Sequence, residues 1–173
     1  MIQFARTMDF RHLQAIERAA ATLFPIGRIP DVDDVMPVGD LQNAAADGLL
    51  FVATSGDAVV GFAMAHELDE GLHLAVMAVH PDHGNCGFGR ALVLAICAEA
   101  ARRHFSLVTL TTFEDLPFNG PFYGKTGFRK LNDVEYSPGL RRLLEHEAQL
   151  GMVKRIAMER KLAEPAMQDR TLR

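Results

Sequence analysis

Apolar positions recur with two different periods along the chain, and these periods divide it into helices and strands. Apolar residues return about every three or four positions after Asp9, which we expect to cap a helix that runs to about Leu23. Short runs rich in β-branched and aromatic residues predict strands at 2–6, 49–54, 58–67, 72–79, 107–112, 127–136 and 152–161. Helical spacing predicts further helices at 40–46, 88–104, 117–125 and 140–150.

Strict alternation of side chains in the predicted strand 72–79 defines its two faces. One face holds Leu72, Leu74, Val76 and Ala78, and the other holds His73, Ala75, Met77 and Val79. The predicted helix 140–150 has an apolar stripe. Its charged residues Arg141, Arg142, Glu145 and Glu147 are expected to form a solvated face.

The composition is typical of a folded globular protein. The chain has 173 residues, of which 49% are hydrophobic and 23% charged, and these values exclude wholesale disorder and fibrous repeats. We expect one domain over 1–161 and a fraying tail over 162–173. No apolar run approaches the roughly 20 residues that cross a bilayer, and the N-terminus lacks signal-peptide features, so no membrane partner is predicted. Cys86 and Cys97 make no disulfide framework, which predicts a reducing cytoplasm.

Charge is distributed unevenly, although the net charge is only −4. Between Ile29 and Gly89 there is no Lys or Arg. The same stretch holds ten acidic residues: Asp31, Asp33, Asp34, Asp40, Asp47, Asp57, Glu67, Asp69, Glu70 and Asp82. Because nucleic-acid binding surfaces are basic, this acidic third argues against a nucleic-acid partner.

A glycine-rich loop joins the predicted strand 72–79 to the predicted helix 88–104. It reads His80-Pro81-Asp82-His83-Gly84-Asn85-Cys86-Gly87-Phe88-Gly89. Glycine permits close backbone approach and the free amides of a helix N-terminus attract anions, so the loop predicts a phosphate or pyrophosphate cradle. A Walker loop would need Lys at Arg90, and a Rossmann loop would need Gly or Ala at Leu92. The loop histidines lack the partners of a complete metal site, so no metal is predicted.

Two motifs resemble the GNAT superfamily of N-acetyltransferases. Residues 78–82 (AVHPD) followed by 87–92 (GFGRAL) resemble its acyl-coenzyme A loop. Residues 119–128 (NGPFYGKTGF) are similar to the family segment that carries an Asn, a Tyr and a Gly-Phe pair, and residues 110–119 (LTTFEDLPFN) further resemble a bacterial subgroup. The resemblance covers about residues 2–161, and the order of predicted elements matches throughout.

The resemblance implies a fold and a cofactor. The fold is α/β (α+β), with a central, mostly antiparallel twisted sheet of about seven strands, helices on both faces and an extra helix before the last strand. Strands 72–79 and 107–112 would splay, and acetyl-coenzyme A would enter between them. The implied cofactor-binding residues are Met77, Ala78, Val79, Gly84, Asn85, Cys86, Gly87, Phe88, Gly89, Arg90, Asn119, Phe122 and Tyr123. Gly84 stands where the family has Gln or Arg, which predicts weaker binding.

The resemblance also implies catalytic residues. Tyr123 matches the family tyrosine that protonates the departing thiolate, and a backbone N–H of residues 77–79 would bind the oxyanion. His73 lies on the strand where some members carry a histidine that acts as base. Glu67 and Glu70 remain alternatives for the base.

The predicted function is transfer of an acetyl group from acetyl-coenzyme A to a primary amine by direct attack in a ternary complex. The acceptor would be a small cationic amine or a peptide amino group, and homodimers are common in the resembled family. The alternative is a non-catalytic acyl-coenzyme A sensor on the same fold, which the altered position of Gly84 motivates. Arg90, Arg102, Arg103 and Lys125 belong to the side that the resemblance assigns to the anionic cofactor, and Asp31, Asp33, Asp34 and Asp40 lie in the segment that walls the acceptor site in the resembled family. The charge distribution therefore suggests an anion held on one side and a cation drawn to the other.

Overall fold

Seven strands form one sheet in the computed structural model, which describes residues 1–163. The strands are β1 (Ile2–Phe4), β2 (Leu50–Ser55), β3 (Ala58–Leu68), β4 (Gly71–Val79), β5 (Leu107–Phe113), β6 (Arg129–Lys130) and β7 (Arg155–Lys161). The helices of these residues are α1 (Phe10–Ala21), α2 (Val38–Ala46), α3 (Phe88–Arg102), α4 (Gly120–Lys125) and α5 (Pro138–Gln149). Of the predicted tail 162–173, residues 164–173 lie outside the described part of the chain.

The sheet order is β1-β2-β3-β4-β5-β7-β6, and neighbouring strands are antiparallel except for β4 and β5. These two parallel strands pair only at Leu72 with Val108 and at His73 with Thr109. Beyond those pairs the strands separate, which confirms the predicted splay. We call Gly71–His73 with Leu107–Thr109 the paired half, and 74–79 with 110–113 the splayed half.

Helices cover both faces of the sheet, as predicted. On one face α3 buries Leu92, Val93 and Ile96 against β2, β3 and β4. On the other face, α1 and α2 bury Leu13 and Leu41 against the sheet. Complete burial of each such side chain stabilises the fold by about 1.5–3 kcal/mol.

A β-bulge in β4 overturns the predicted strict alternation of its faces. Val76 pairs with Met64 and Leu74 pairs with Ala65, so Ala75 is an extra residue on β4. Leu74 and Met77 consequently both pack on the α3 face, whereas Ala78 packs on the α1 face. Uninterrupted alternation predicts that His73 and Met77 share a face. Because of the bulge, they lie on opposite faces of the sheet.

Three predicted element boundaries were also wrong. The side chain of Asp9 does not cap α1, because it accepts the backbone N–H of Arg6 (2.8 Å) and closes a 3-10 turn at Thr7–Asp9 that precedes the helix. The predicted strand 127–136 is a strand only at Arg129–Lys130. A capping box closes another 3-10 turn there, in which Glu135 accepts the N–H of Asn132 at 2.9 Å. The predicted helix 117–125 begins only at Gly120.

The extra helix α5 is held by the β3–β4 turn. Asp69 accepts hydrogen bonds from the hydroxyl of Ser137 (2.5 Å) and the N–H of Gly139 (3.0 Å). A Cβ at Gly139 would overlap the Asp69 carboxylate, so this close approach requires glycine. Beneath the helix, Leu140 packs with Leu131 and Ala157 in a separate small core.

Candidate active site

A cavity of about 250 Å³ lies where β4 and β5 separate. The bulged segment Ala75–Ala78 of β4 forms one side of it, and α1 with the loop after it forms another. Its polar and charged lining comes from Glu17, Asp31, Asp34, Thr111, Thr112, Asn119, Tyr123 and Arg155. Because residues 74–79 have no pairing to β5, this edge of β4 can pair with an extended ligand.

The glycine-rich loop has the backbone geometry of an anion cradle. Asn85 (φ +57°) and Gly87 (φ +84°) are left-handed, and Gly87 is the N-cap from which α3 begins. The first amides of α3 have no partner within the helix, and its dipole favours a negative charge there. Gly84, Cys86 and Arg90 are exposed beside these amides.

The predicted cofactor-binding elements meet at Gly89. A Cβ added to Gly89 would lie 3.4 Å from Phe122 Cζ and 3.6 Å from Met77 Sδ. α3, β4 and α4 therefore converge at Gly89, where an added Cβ would make ordinary van der Waals contact with Phe122 and Met77. Val79 and Phe88 pack on the same face as Met77, but Ala78 is buried on the opposite face, which leaves only its backbone for the predicted role.

Tyr123 lines the cavity and is almost fully buried. Its ring packs edge-on against Phe122 at 5.1 Å and Phe128 at 5.9 Å between ring centroids. Burial raises the pKa of the hydroxyl well above its usual range, so it keeps its proton at neutral pH. Such a hydroxyl can donate a hydrogen bond into the cavity.

Asn119 also lines the cavity, and its side chain has a structural partner. Its Oδ1 accepts the N–H of Phe113 at 3.4 Å, which ties the end of β5 to the start of α4. A Cβ at the next residue, Gly120, would lie 2.8 Å from the backbone oxygen of Glu114. This close approach of the two backbone segments requires glycine at residue 120.

His73 lies in the paired half, away from the cavity lining. It is buried, and its Nδ1 lies 3.0 Å from the hydroxyl of Thr109. Burial, reinforced by the nearby His66, lowers the pKa of His73 to about 3. This position is at odds with the predicted role as base, and neither Glu67 nor Glu70 lines the cavity.

Glu17 is a cavity residue that the sequence reasoning missed. It lies on α1 and accepts the N–H of Met36 at 3.0 Å. Burial, followed by the charge of Asp34, raises its pKa, while the Met36 hydrogen bond opposes that shift. The sequence does contain an indication of this site. Glu17 is an acidic residue one helical turn from the apolar residues Leu13 and Ala20, on the helix face that is predicted to contact the core.

Arg155 lines the cavity as part of a nearly buried ion pair. Its Nε and Nη2 donate to Glu147 at 2.8 Å each, and Nη2 also donates to the Thr111 hydroxyl at 3.1 Å. Its guanidinium lies 4.5 Å from the ring centre of Phe113. The prediction that Glu147 belongs to a solvated face is therefore wrong, because α5 turns Glu147 inward to hold Arg155.

The structure separates the charges that the sequence had grouped. Asp31 and Asp34 line the cavity, whereas Asp33 pairs with Arg18 at 2.9 Å and Asp40 lines a second cavity beside α2. Arg102 and Arg103 both bind Glu99, about 20 Å along α3 from the glycine loop. Although Arg102 and Arg103 were assigned to the side of the anionic cofactor, they therefore lie too far from the glycine loop to contact an anion bound there.

The matched family model is described as the acetyltransferase (GNAT) family, and it covers residues 13–128. The chain belongs to this family. Membership confirms the resemblance and the predicted acyltransferase class.

Within residues 1–163, no cluster of His, Cys, Asp and Glu is placed to hold a metal ion. No helix in this range has the length and apolar character to cross a membrane.

Solved GNAT structures share the fold. PaiA N-acetyltransferase from Thermoplasma acidophilum, in complex with coenzyme A, has a TM-score of 0.71 and is 15% identical over 94% of this chain and 98% of that chain. The ribosomal-protein-S18-alanine N-acetyltransferase from Escherichia coli has a TM-score of 0.67 and is 18% identical over 97% of each chain. N-acetylglutamate synthase from Neisseria gonorrhoeae, complexed with coenzyme A and N-acetyl-glutamate, has a TM-score of 0.73 and is 18% identical over 95% of this chain but 35% of its own. These likenesses confirm the predicted fold class.

Proposed function

We propose that this GNAT domain transfers an acetyl group from acetyl-coenzyme A to a primary amine by direct attack in a ternary complex. The observation that carries the proposal is the splay of β4 from β5, because it opens beside the free N-terminus of α3 and leads into the cavity. A pantetheine arm and a pyrophosphate need these two features together, and coenzyme A is bound in the Thermoplasma and Neisseria neighbours.

The chain's own residues can hold both parts of this substrate. The amides of the loop 84–90 would hold the pyrophosphate, while the backbone of Met77, Ala78 and Val79 would pair with the pantetheine amides. Phe122 would pack beside the arm, and Asn119 would contact it from the start of α4. We propose weaker binding than in members with a Gln or Arg at the position of Gly84.

Tyr123 is the residue we propose to protonate the departing sulfur. It is placed on the cavity wall beside Phe122, and its raised pKa keeps the proton that a donor needs. A backbone N–H in the bulged strand would stabilise the charge that develops on the carbonyl oxygen. Positioning by β4 and the loop supplies the remaining rate acceleration.

The charges of the cavity favour a cationic amine as acceptor. Among residues 1–163, three acids and one cationic residue line it, and that residue, Arg155, is neutralised by Glu147. The names of two structural neighbours indicate that an amino group is acetylated. In one it belongs to an alanine of a ribosomal protein, and in the other it belongs to glutamate. We therefore propose a small cationic amine or a peptide amino group as the acceptor class.

Two measurements test this function. Titration calorimetry with acetyl-coenzyme A and with coenzyme A should show binding of both, and no heat at millimolar ligand would contradict the enzymatic reading. Thiol release with small amines, polyamines and peptides bearing free N-termini should depend on the acceptor, and mass spectrometry should show acetylated amine. Binding without acceptor-dependent release would instead indicate a non-catalytic sensor.

We also propose a reducing cytoplasm in a bacterial cell as the setting. Cys86 is exposed and unpaired and Cys97 is buried and unpaired, which suits a reducing compartment. A homodimer is the proposed assembly, and light scattering of the purified chain would show a monomer mass if this is wrong.

A further inference from the structure

Glu17 is a carboxylate on a helix face that otherwise contacts the core. The residues one turn away on the same face, Leu13 and Ala20, both pack in the α1 core cluster. The loop after α1 returns so that the N–H of Met36 donates to one Glu17 oxygen at 3.0 Å, while Gln14 donates to the carbonyl of Met36 at the same distance. Two hydrogen bonds thus fix the loop to α1 at this carboxylate.

The second oxygen of Glu17 has no hydrogen-bond partner among residues 1–163, and the side chain forms no ion pair in that range. Glu17 nevertheless lines the cavity that also holds Tyr123 and the bulged segment Ala75–Ala78. One oxygen is therefore anchored while the other is available to a group in the cavity.

We propose that Glu17 is the general base of the transfer, an inference that rests on the proposed function. The acceptor ammonium gives one proton to Glu17, and the freed electron pair of its nitrogen attacks the thioester carbonyl carbon. The C–N bond forms and the C–S bond breaks. Tyr123 gives its hydroxyl proton to the departing sulfur, which leaves as a thiol, and the second proton of the nitrogen restores the Tyr123 hydroxyl. Glu17 later releases its proton to water.

Other charged groups surround this carboxylate. The loop contributes Asp31 and Asp34 to the same cavity, β7 contributes Arg155, and Arg18 follows Glu17 on α1. Asp31 and Asp34 are exposed, whereas Glu17 is half-buried, and burial raises its pKa towards the working pH. Since a base is more effective when its pKa lies nearer the working pH, Glu17 is better suited than the two exposed acids.

The pair of variants Glu17→Gln and Glu145→Gln tests the proposal. Glutamine keeps the size of Glu17 and can still accept the Met36 N–H, so the loop anchor survives. Glu145 is exposed on α5 and outside the cavity, which makes it a matched control. Both variants should melt within a few degrees of the wild type.

Rates are measured with two acceptors, hydroxylamine and the alkylamine that gives the fastest thiol release with the wild type. The uncatalysed rate is subtracted in each case. An alkylamine is protonated at pH 7.5 because its pKa is about 10, whereas hydroxylamine is uncharged there. We expect E17Q to lower kcat/KM for the alkylamine about 100-fold or more, and this deficit should shrink as the pH rises and free amine forms. With hydroxylamine the loss should stay below about tenfold, and Glu17→Asp should recover part of the alkylamine rate.

An equal loss with both acceptors would show that Glu17 only shapes the cavity and would overturn the proposal, as would an unchanged rate with the alkylamine. These outcomes leave the proposed function standing, because the wild type must turn over for them to be seen. A wild type that releases no thiol with any amine would overturn both proposals.

Discussion

Titratable residues with perturbed pKa values lie both in the paired half of the β4–β5 contact and in the cavity beside the splayed half. They differ in whether a ligand in the cavity could reach them. In the paired half, His73 is buried beside Thr109 and burial depresses its pKa, so it stays neutral and enclosed. In the cavity beside the splayed half, Glu17 of α1 and Tyr123 of α4 are lining residues, and their pKa values are raised. A perturbed pKa alone therefore does not indicate chemistry in this protein, and access to the cavity separates the two cases.

The comparison implies a division between variants that change rates and variants that change stability. Substitutions in the cavity beside the splayed half should alter turnover or affinity while the fold persists. Those in the paired half should alter the free energy of unfolding. Each prediction below tests one side of this division.

The largest expected effect is on turnover, from a substitution in the cavity beside the splayed half. Tyr123→Phe removes the proposed proton donor but keeps the ring that packs on Phe122 and Phe128. We expect kcat to fall about 100-fold while the calorimetric Kd for acetyl-coenzyme A stays the same. A kcat within about threefold of the wild type would remove Tyr123 from the chemistry.

Gly71→Ala should damage the paired half. A Cβ at residue 71 would lie 2.9 Å from the backbone oxygen of Leu107, so β4 and β5 would have to move apart. We expect a loss of about 2–3 kcal/mol and a Tm lower by roughly 5–10 °C, measured by circular dichroism.

Gly39→Ala is the control for that substitution. An added Cβ at Gly39 meets nothing within 4 Å, and the residue lies within α2. Its Tm should be equal or slightly higher, since alanine favours helix. Equal melting of the Gly71 and Gly39 variants would show that the paired half tolerates expansion.

His73 should make the fold sensitive to acid. Its pKa is about 3 in the folded protein against 6.5 when exposed, so the unfolded state binds the proton more readily. Stability is therefore fully present above about pH 6.5 and is lost as the pH falls below it, by about 2 kcal/mol at pH 5.

The variant His73→Asn should remove this part of the acid loss. Urea unfolding at pH 7 and pH 5 gives the two free energies, and the difference between them should shrink by about 2 kcal/mol. His104→Asn is the control, because His104 is exposed and its positive φ of 63° suits asparagine. A difference as large as that of the wild type would mean that other groups cause the acid loss.

The smallest effect should come from the exposed acids of the acceptor side. The double variant Asp31→Asn with Asp34→Asn should raise KM for a cationic amine a few-fold at low salt, and the effect should fade as salt screens it. Asp33→Asn should change KM less, since Asp33 pairs with Arg18 outside the cavity lining. An equal effect from Asp33→Asn would show that overall charge, rather than position, attracts the amine.

The sequence predicted the order of elements and the glycine loop because these depend on local patterns, whereas the splay was implied only by the resemblance to the GNAT superfamily. Periodicity marks helices and strands, and the left-handed residues Asn85 and Gly87 are of types that adopt that geometry readily. The sequence did not predict the hydrogen-bond partners of Glu147 or Glu17. Those depend on α5 and on the loop after α1 returning to the same cavity, which only the tertiary arrangement determines.

The faces of β4 were also unpredictable from alternation. A bulge inserts a residue without any distinctive amino acid, and Ala75 is as ordinary in a strand as its neighbours. The error carried over to His73, which alternation placed beside Met77 and which the bulge places on the other face.

Because of the bulge, substitution and deletion of residue 75 should have very different effects on the strand. A substitution at Ala75 would leave the pairing of β4 with β3 unchanged, because Ala75 pairs with no residue of β3, but a larger side chain would enter the cavity that Ala75 lines. Deleting it would instead restore even alternation and turn every later residue of the strand over, so Met77 and Ala78 would exchange sides. A deletion scan of β4 should therefore find this alanine indispensable to the fold as a spacer, whereas its substitution should change the cavity and leave the strand pairing intact.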